Sequence, residues 1–182
     1  MLRCPNILMI GGNARHSGKT SLACGVIRKF SARHELIGLK VTGIKPGTDE
    51  FHGNHKDEPS QPYTILEETE RHSEKDTSQM IQAGASRVFY IRTDDACLNE
   101  AISRFLQIAG NCPVVCESRS LRSLVQPGVY LLMMRDLMGE QPKNMSLFLA
   151  LADEICYQGN DSAALESLIS RISLNENGWL IS

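Results

Sequence analysis

Several things are scarce in this chain of 182 residues. Aromatic side chains make up 5% of it, with a single Trp, which is thin for a platform on which the bases of a single strand stack. Charge of one sign is also missing: 19 Lys and Arg stand against 21 Asp and Glu, a net charge of -2. Without a basic field, nucleic acid is not expected as a partner, and without a helix rich in Lys and Arg, neither is an anionic membrane surface. No apolar run approaches the roughly 20 residues that span a bilayer. The six cysteines never form C-x-x-C, and a chain of this size folds without disulfides, so they read as buried, reduced thiols. The start, Met1 to Pro5, lacks the apolar core of a secretory leader. A cytoplasmic setting is the expectation.

What is present is an ordinary globular composition, 42% hydrophobic and 22% charged, enough for one domain over residues 1–182. Asn6 to Ile10 reads as a short buried strand ending at Gly11-Gly12. A polar turn follows, and then Leu22, Ala23, Val26, Ile27 and Phe30 recur at helical spacing to about His34. Leu36 to Val41 is a second buried strand. Strand, helix, strand within about forty residues is a βαβ unit, which favours a parallel sheet. Residues 43–73, rich in Gly, Pro, His and acids, read as a flexible loop or lid, with Ile65-Leu66 as its one apolar anchor. Beyond it the pattern predicts a helix over Asp76 to Ala83, capped by Asp76 or Thr77, and a strand over Val88 to Ile91. A helix over Cys97 to Ala109 and strands over Pro113 to Cys116 and Val129 to Met134 follow. Last come a helix over Leu147 to Ala152, a strand over Glu154 to Tyr157 and a helix over Ala163 to Ile172. The predicted fold is a three-layer α/β/α domain with a mostly parallel sheet.

The strongest motif is Asn13-Ala14-Arg15-His16-Ser17-Gly18-Lys19-Thr20-Ser21, set between the first strand and the first helix. It matches the phosphate-binding pattern G-x-x-x-x-G-K-[ST], with Asn13 in the slot of the first glycine and Gly12 one place early. Each part has a physical reason. A glycine-bearing turn brings amide N–H groups against phosphate oxygens, and the helix N-terminus adds partial positive charge. Lys19 reaches β- and γ-phosphates, and the Thr20 hydroxyl suits Mg²⁺. Asn13 is expected to keep the loop shape by tolerating a left-handed backbone. Asn13, Ala14, Ser17, Gly18, Lys19, Thr20 and Ser21 are thus the candidate nucleotide-binding residues, with Arg15 and His16 solvated at the tip. Glu117, directly after the apolar run Pro113 to Cys116, stands where parallel sheets gather ligands and is a second candidate for Mg²⁺ beside Thr20.

Beyond these residues the chain resembles the P-loop proteins grouped with molybdopterin-guanine dinucleotide biosynthesis protein B and dethiobiotin synthetase. The resemblance is carried by Asn13 to Ser21, Gly38-Leu39-Lys40-Val41-Thr42, Lys75-Asp76-Thr77-Ser78 with Ala83-Gly84-Ala85, and Cys116-Glu117-Ser118. It implies a lysine near substrate and nucleotide at Lys40, a Mg²⁺ ligand at Glu117, and a homodimer. The chain departs from the pattern at Asn13, at Ser118-Arg119-Ser120 where protein B has a glycine after its acid, and at Lys40-Val41, which lacks the synthetase proline.

Weaker constellations remain. His52 and His55 lie among Asp49, Glu50, Asp57 and Glu58, a set that suits a metal but also a solvated loop. Cys112 and Cys116 share a strand face, and read as structural thiols. Arg119 and Arg122 are equally candidates for an anionic ligand and ordinary surface arginines, and Pro142-Lys143-Asn144 reads as a plain loop. The functional expectation is Mg²⁺-dependent binding of ATP or GTP, followed by hydrolysis or phosphoryl transfer to a small acceptor in cofactor biosynthesis. Lys19 and Lys40 are the candidate catalytic residues. The alternatives are a nucleotide-dependent adaptor that supports a partner enzyme, and a degenerate loop without turnover.

Overall fold

A computed structural model describes residues 1–44, 62–135, 144–157 and 162–182. The histidine-rich set at 49–58 and residues Pro142 and Lys143 lie outside these residues. The elements run β1 (Leu2–Gly12), α1 (Lys19–Phe30), β2 (Ile37–Gly43), β3 (Tyr63–Glu67), α2 (Asp76–Gln82), β4 (Arg87–Thr93), α3 (Leu98–Ala109) and β5 (Val114–Glu117). A 3₁₀ turn (Ser120–Ser123), β6 (Val125–Met134), α4 (Met145–Ala150), β7 (Glu154–Tyr157), α5 (Ser162–Arg171), β8 (Ile172–Asn175) and β9 (Gly178–Ile181) complete the chain.

Seven strands form one sheet in the order β3-β4-β2-β5-β1-β6-β7. Every pairing in it is parallel except β3 with β4. β1 sits between β5 and β6, so both of its edges are paired, and with helices packed on both faces its burial is unbroken from Ile7 to Gly12. Alternate residues feed two cores. Leu8, Ile10, Val115 and Leu131 meet Leu22, Val26 and Ile27 of α1, Met80 of α2 and Leu168 of α5. Ile7, Met9, Leu39, Cys116 and Leu132 meet Leu98, Ile102 and Phe105 of α3 and Met145 and Phe148 of α4. Helices therefore cover both faces, and the crossovers bring the strand ends Gly12, Gly43 and Glu117 to one rim. Among the described residues no helix is long and apolar enough to cross a membrane.

Several elements differ from the sequence expectation. β1 begins at Leu2, ahead of Asn6, because its first residues pair with Val125, Gln126 and Pro127. That pairing also starts β6 at Val125, ahead of the predicted Val129, and carries it through Pro127 and Gly128. The 43–73 stretch is not all loop: Tyr63–Glu67 forms the antiparallel edge strand, with Ile65 opposite Ile91. The last helix ends at Arg171, and an antiparallel β8–β9 hairpin follows. Trp179 fixes that hairpin, edge-on to Phe30 at 5.0 Å and donating Nε1–H to the Asn6 carbonyl at 3.0 Å. Neither Asp76 nor Thr77 caps α2. Lys75 holds the cap position without a side-chain bond, and Thr77 donates to Glu68 at 2.7 Å. All six cysteines are free. Burial raises the Cys116 thiol well above its ordinary range.

Candidate functional site

The loop between β1 and α1 is shaped by backbone and small side chains. Its left-handed positions are His16, at φ 56°, and Gly18, at φ 88°. Asn13 is not one of them, which corrects the expectation for this residue. Its side chain instead ties the loop to the end of β6: Nδ2 donates to the Arg135 carbonyl at 2.8 Å, and Oδ1 accepts the Arg135 amide at 2.8 Å. The slot of the motif's first glycine therefore needs no glycine here. Gly12, which looked misplaced by one residue, has its own use. A Cβ there would lie 2.7 Å from Ser17 Oγ and 3.0 Å from Lys19 Cδ, so its bare Cα makes room for the inner side of the loop.

Lys19 opens α1 and folds back over the loop. Its Nζ donates to the Ala14 carbonyl at 2.7 Å and to Ser17 Oγ at 3.2 Å. Burial pulls its pKa down, and the nearby positive charges of Lys40 and Arg119 act in the same direction, while Glu117 and Asp76 oppose them. An amine in that state gains by meeting an anion. The first amide of α1 to bond within the helix is that of Leu22, to the Gly18 carbonyl at 3.0 Å. The N–H groups before it form the open positive end that every helix start presents. Ala14 and Ser17 thus line the loop with Gly18 and Lys19, and Arg15 and His16 are exposed at its tip, as expected.

Beside the loop, four side chains from four elements converge. The Thr20 hydroxyl of α1 lies 2.9 Å from Glu117 Oε2, at the end of β5, and 3.0 Å from Asp76 Oδ1, at the start of α2. Lys40, on β2, places its ammonium on Asp76 Oδ2 and 3.4 Å from Glu117 Oε1. Burial alone would lower the Lys40 pKa, but the Glu117 charge and the Asp76 hydrogen bond outweigh it, and the net shift is upward. For Asp76, burial pushes upward and is outweighed by Lys40 and Thr20, so its carboxyl is held below the usual range.

The oxygens in this cluster exceed the protons available to join them. A hydroxyl has one proton, so Thr20 can donate to only one of the two carboxylates it touches. Their spacing has a simple counterpart: oxygens on neighbouring vertices of an octahedron of radius about 2.1 Å lie roughly 3 Å apart. Two carboxylates and a hydroxyl, with the remaining positions left for water or phosphate, are the donors Mg²⁺ prefers. Among the described residues, no group of three or more His, Cys, Asp or Glu side chains is arranged to hold a metal. The cluster fits a hard cation that takes few protein ligands.

The sequence pointed to Lys19, Thr20, Lys40 and Glu117, and the fold brings all four together. It did not point to Asp76. That residue stood in the matched segment Lys75 to Ser78 but was read as a helix cap, and a separation of 56 residues from Thr20 leaves no local signal of the contact. Ser21 lies on the far side of the loop. There, with Ser17 and Gly18, it borders a cavity of about 390 Å³ between β7 and α5 that also meets Met133, Cys156 and Leu165. Arg122 does not reach the site. It is buried, with Nη1 donating to the Val125 carbonyl at 3.2 Å and its guanidinium over the Tyr130 ring. Asn144 has a left-handed backbone at the start of α4. Comparison of the chain with protein-family models, curated proteins and solved structures finds no match.

Proposed function

We propose that this chain is a Mg²⁺-dependent P-loop protein that binds ATP or GTP and passes the terminal phosphoryl group to water or to a small acceptor. The observation that carries the reading is the crowding of Thr20, Asp76 and Glu117 oxygens around the Lys40 ammonium, at the mouth of a loop whose own lysine is turned inward. Mg²⁺ held by Thr20, Glu117 and Asp76 would neutralise the charge on β- and γ-phosphate oxygens. Lys19 exchanges the Ala14 carbonyl for phosphate oxygens, and its lowered pKa makes that exchange favourable. The start of α1 supplies amides and the positive end of the helix to the same oxygens. Lys40 remains protonated between its two carboxylates, and by the resemblance it would stand near the acceptor. The cavity beside Ser17, Gly18 and Ser21 offers the nucleoside a partly apolar seat. Rate acceleration then comes from positioning and fixed charge, without covalent work by the protein. By its resemblance, the acceptor belongs to cofactor assembly.

Calorimetric titration with Mg²⁺-ATP and Mg²⁺-GTP, on wild type and Lys19→Ala, tests the reading. Wild type is expected to bind one of the two, and the variant to lose that binding while its circular dichroism is unchanged. Equal affinity in both proteins, or no binding by wild type, rejects it. A turnover screen with candidate acceptors separates an enzyme from a nucleotide-gated adaptor, whose hydrolysis would respond to a partner protein and not to small molecules.

A further inference from the structure

Across β1 from the carboxylates, one guanidinium has no task in the reading above. Arg119 stands two residues after Glu117, where the chain departs from the pattern it resembles. Its backbone is fixed by the neighbour before it. Ser118 is buried, its amide donates to the Ile10 carbonyl at 3.0 Å, and its hydroxyl accepts the Leu121 amide at 3.3 Å to start the 3₁₀ turn. From this anchor the Arg119 side chain turns toward the α4 face. It lies over the Phe148 ring at 5.6 Å and gives one long hydrogen bond, Nη1 to the Gly12 carbonyl at 3.3 Å.

A guanidinium has five N–H donors in a planar fork, and among the described residues this one uses a single donor. It is partly buried, and no carboxylate among the described residues pairs with it. The surroundings do not compensate. Tyr130 Oη, fully buried on the same face, has no hydrogen-bond partner among the described residues. Its phenol is pushed up to about 12 by burial, against the pull of both Arg119 and Arg122. Arg119 also bears on Lys19 across the strand. Positive charge without an acid, next to a carbonyl of the strand that leads into the loop, is the arrangement that receives an anion with two oxygens in one plane.

We infer that Arg119 is an oxyanion-binding residue, which takes phosphoryl or carboxylate oxygens of a ligand seated beside the 13–20 loop, on the side opposite α1. The inference rests on the nucleotide reading. Two sources share this chemistry: the terminal phosphate of the nucleotide itself, and the anionic group of a second ligand.

The test compares wild type, Arg119→Ala and Arg119→Lys by calorimetry in Mg²⁺. Non-hydrolysable ATP and GTP analogues and the matching diphosphates are titrated first. Orthophosphate is then titrated onto each protein saturated with the triphosphate analogue. If the source is the terminal phosphate, Arg119→Ala weakens the triphosphate analogue by about ten- to a hundredfold, the size of a lost charged hydrogen bond, and leaves the diphosphate within about twofold. If the source is a second ligand, both nucleotides are unaffected and the orthophosphate step disappears in Arg119→Ala. In either case Arg119→Lys restores part of the loss, because it keeps the charge without the fork. Equal affinities for every ligand in all three proteins, or a uniform loss across them, overturns the inference. Failure of wild type to bind any nucleotide is a different result, and defeats the nucleotide reading itself.

Discussion

The two faces of the central sheet carry opposite chemistry at the same rim. On the α1 face, Thr20, Asp76 and Glu117 present oxygens, and the positive charge among them is Lys40. On the α4 face, the Arg119 guanidinium lies over the Phe148 ring, and no described carboxylate answers it. β1 divides the two, with Ile10 feeding one core and Met9 the other. Under the proposed function, a rim with carboxylates on one side and a guanidinium on the other would suit a metal-bound polyanion lying across the strand. Strand alternation alone would put Glu117 and Arg119, two residues apart, on one face; β5 ends at Glu117, and the turn at Ser118 into the 3₁₀ segment carries Arg119 to the other.

The faces can be separated experimentally, beginning with the largest effect. Phe105 is fully buried under the α4 face and packs edge-on against Phe89 at 5.6 Å. Phe105→Ala should cost about 3–5 kcal/mol in urea unfolding, and leave Mg²⁺-nucleotide affinity of the folded protein unchanged. A matching loss of affinity would mean the faces are not independent. Asp76→Asn should act in reverse. It should weaken the Mg²⁺-nucleotide complex by roughly tenfold or more, and leave metal-free nucleotide affinity alone. If titrations with and without Mg²⁺ fall together, Asp76 is a packing residue and not a ligand.

Acid and base should read out the same cluster with smaller amplitude. The folded pKa of Asp76 is depressed, so its contribution to stability is present above the unfolded carboxylate value, about 3.9. It is lost as the pH falls through the lower folded value. The Lys40 pKa is raised, so its contribution is complete below about 10.4 and is lost as the pH climbs through the folded value. Unfolding curves across pH should therefore lose their acid limb in part in Asp76→Asn and their alkaline limb in part in Lys40→Met. Unchanged limbs would argue that the cluster adds nothing to folding. The smallest effect belongs to the sheet edge. The exposed pair of Arg87 with Glu67, at 2.8 and 2.7 Å, joins β4 to β3. Arg87→Ala should cost no more than about 1 kcal/mol, and high salt should erase the difference.

Much of this arrangement was legible because the signals were local. The apolar run at Ile7 to Ile10, the helical spacing from Leu22 to Phe30 and the Gly18-Lys19-Thr20 step each lie within one or two elements. What escaped was decided by partners distant in sequence. Tyr63–Glu67 is a strand because Phe89 to Thr93 offers it an edge, and its partly exposed residues show no strong alternation. Ser173 to Ile181 carries no predicted element, yet it forms a hairpin whose Trp179 packs on Phe30 and bonds the Asn6 carbonyl, both distant in sequence. Asp76 looked like a cap because its neighbours in sequence are a helix start, whereas its neighbours in space are Thr20 and Lys40. The expected left-handed Asn13 failed for the same reason, since its side chain answers to Arg135.

The bond between Asn13 and Arg135 has a consequence for biosynthesis. The residues that form the loop leave the ribosome well before their brace, because the backbone that holds them is made more than a hundred residues later. A nascent chain released or stalled before Arg135 should carry the whole Gly18-Lys19-Thr20 signature and still fail to retain nucleotide. Competence would then arrive in one late step of translation, when the sixth strand docks and gives Asn13 its clasp.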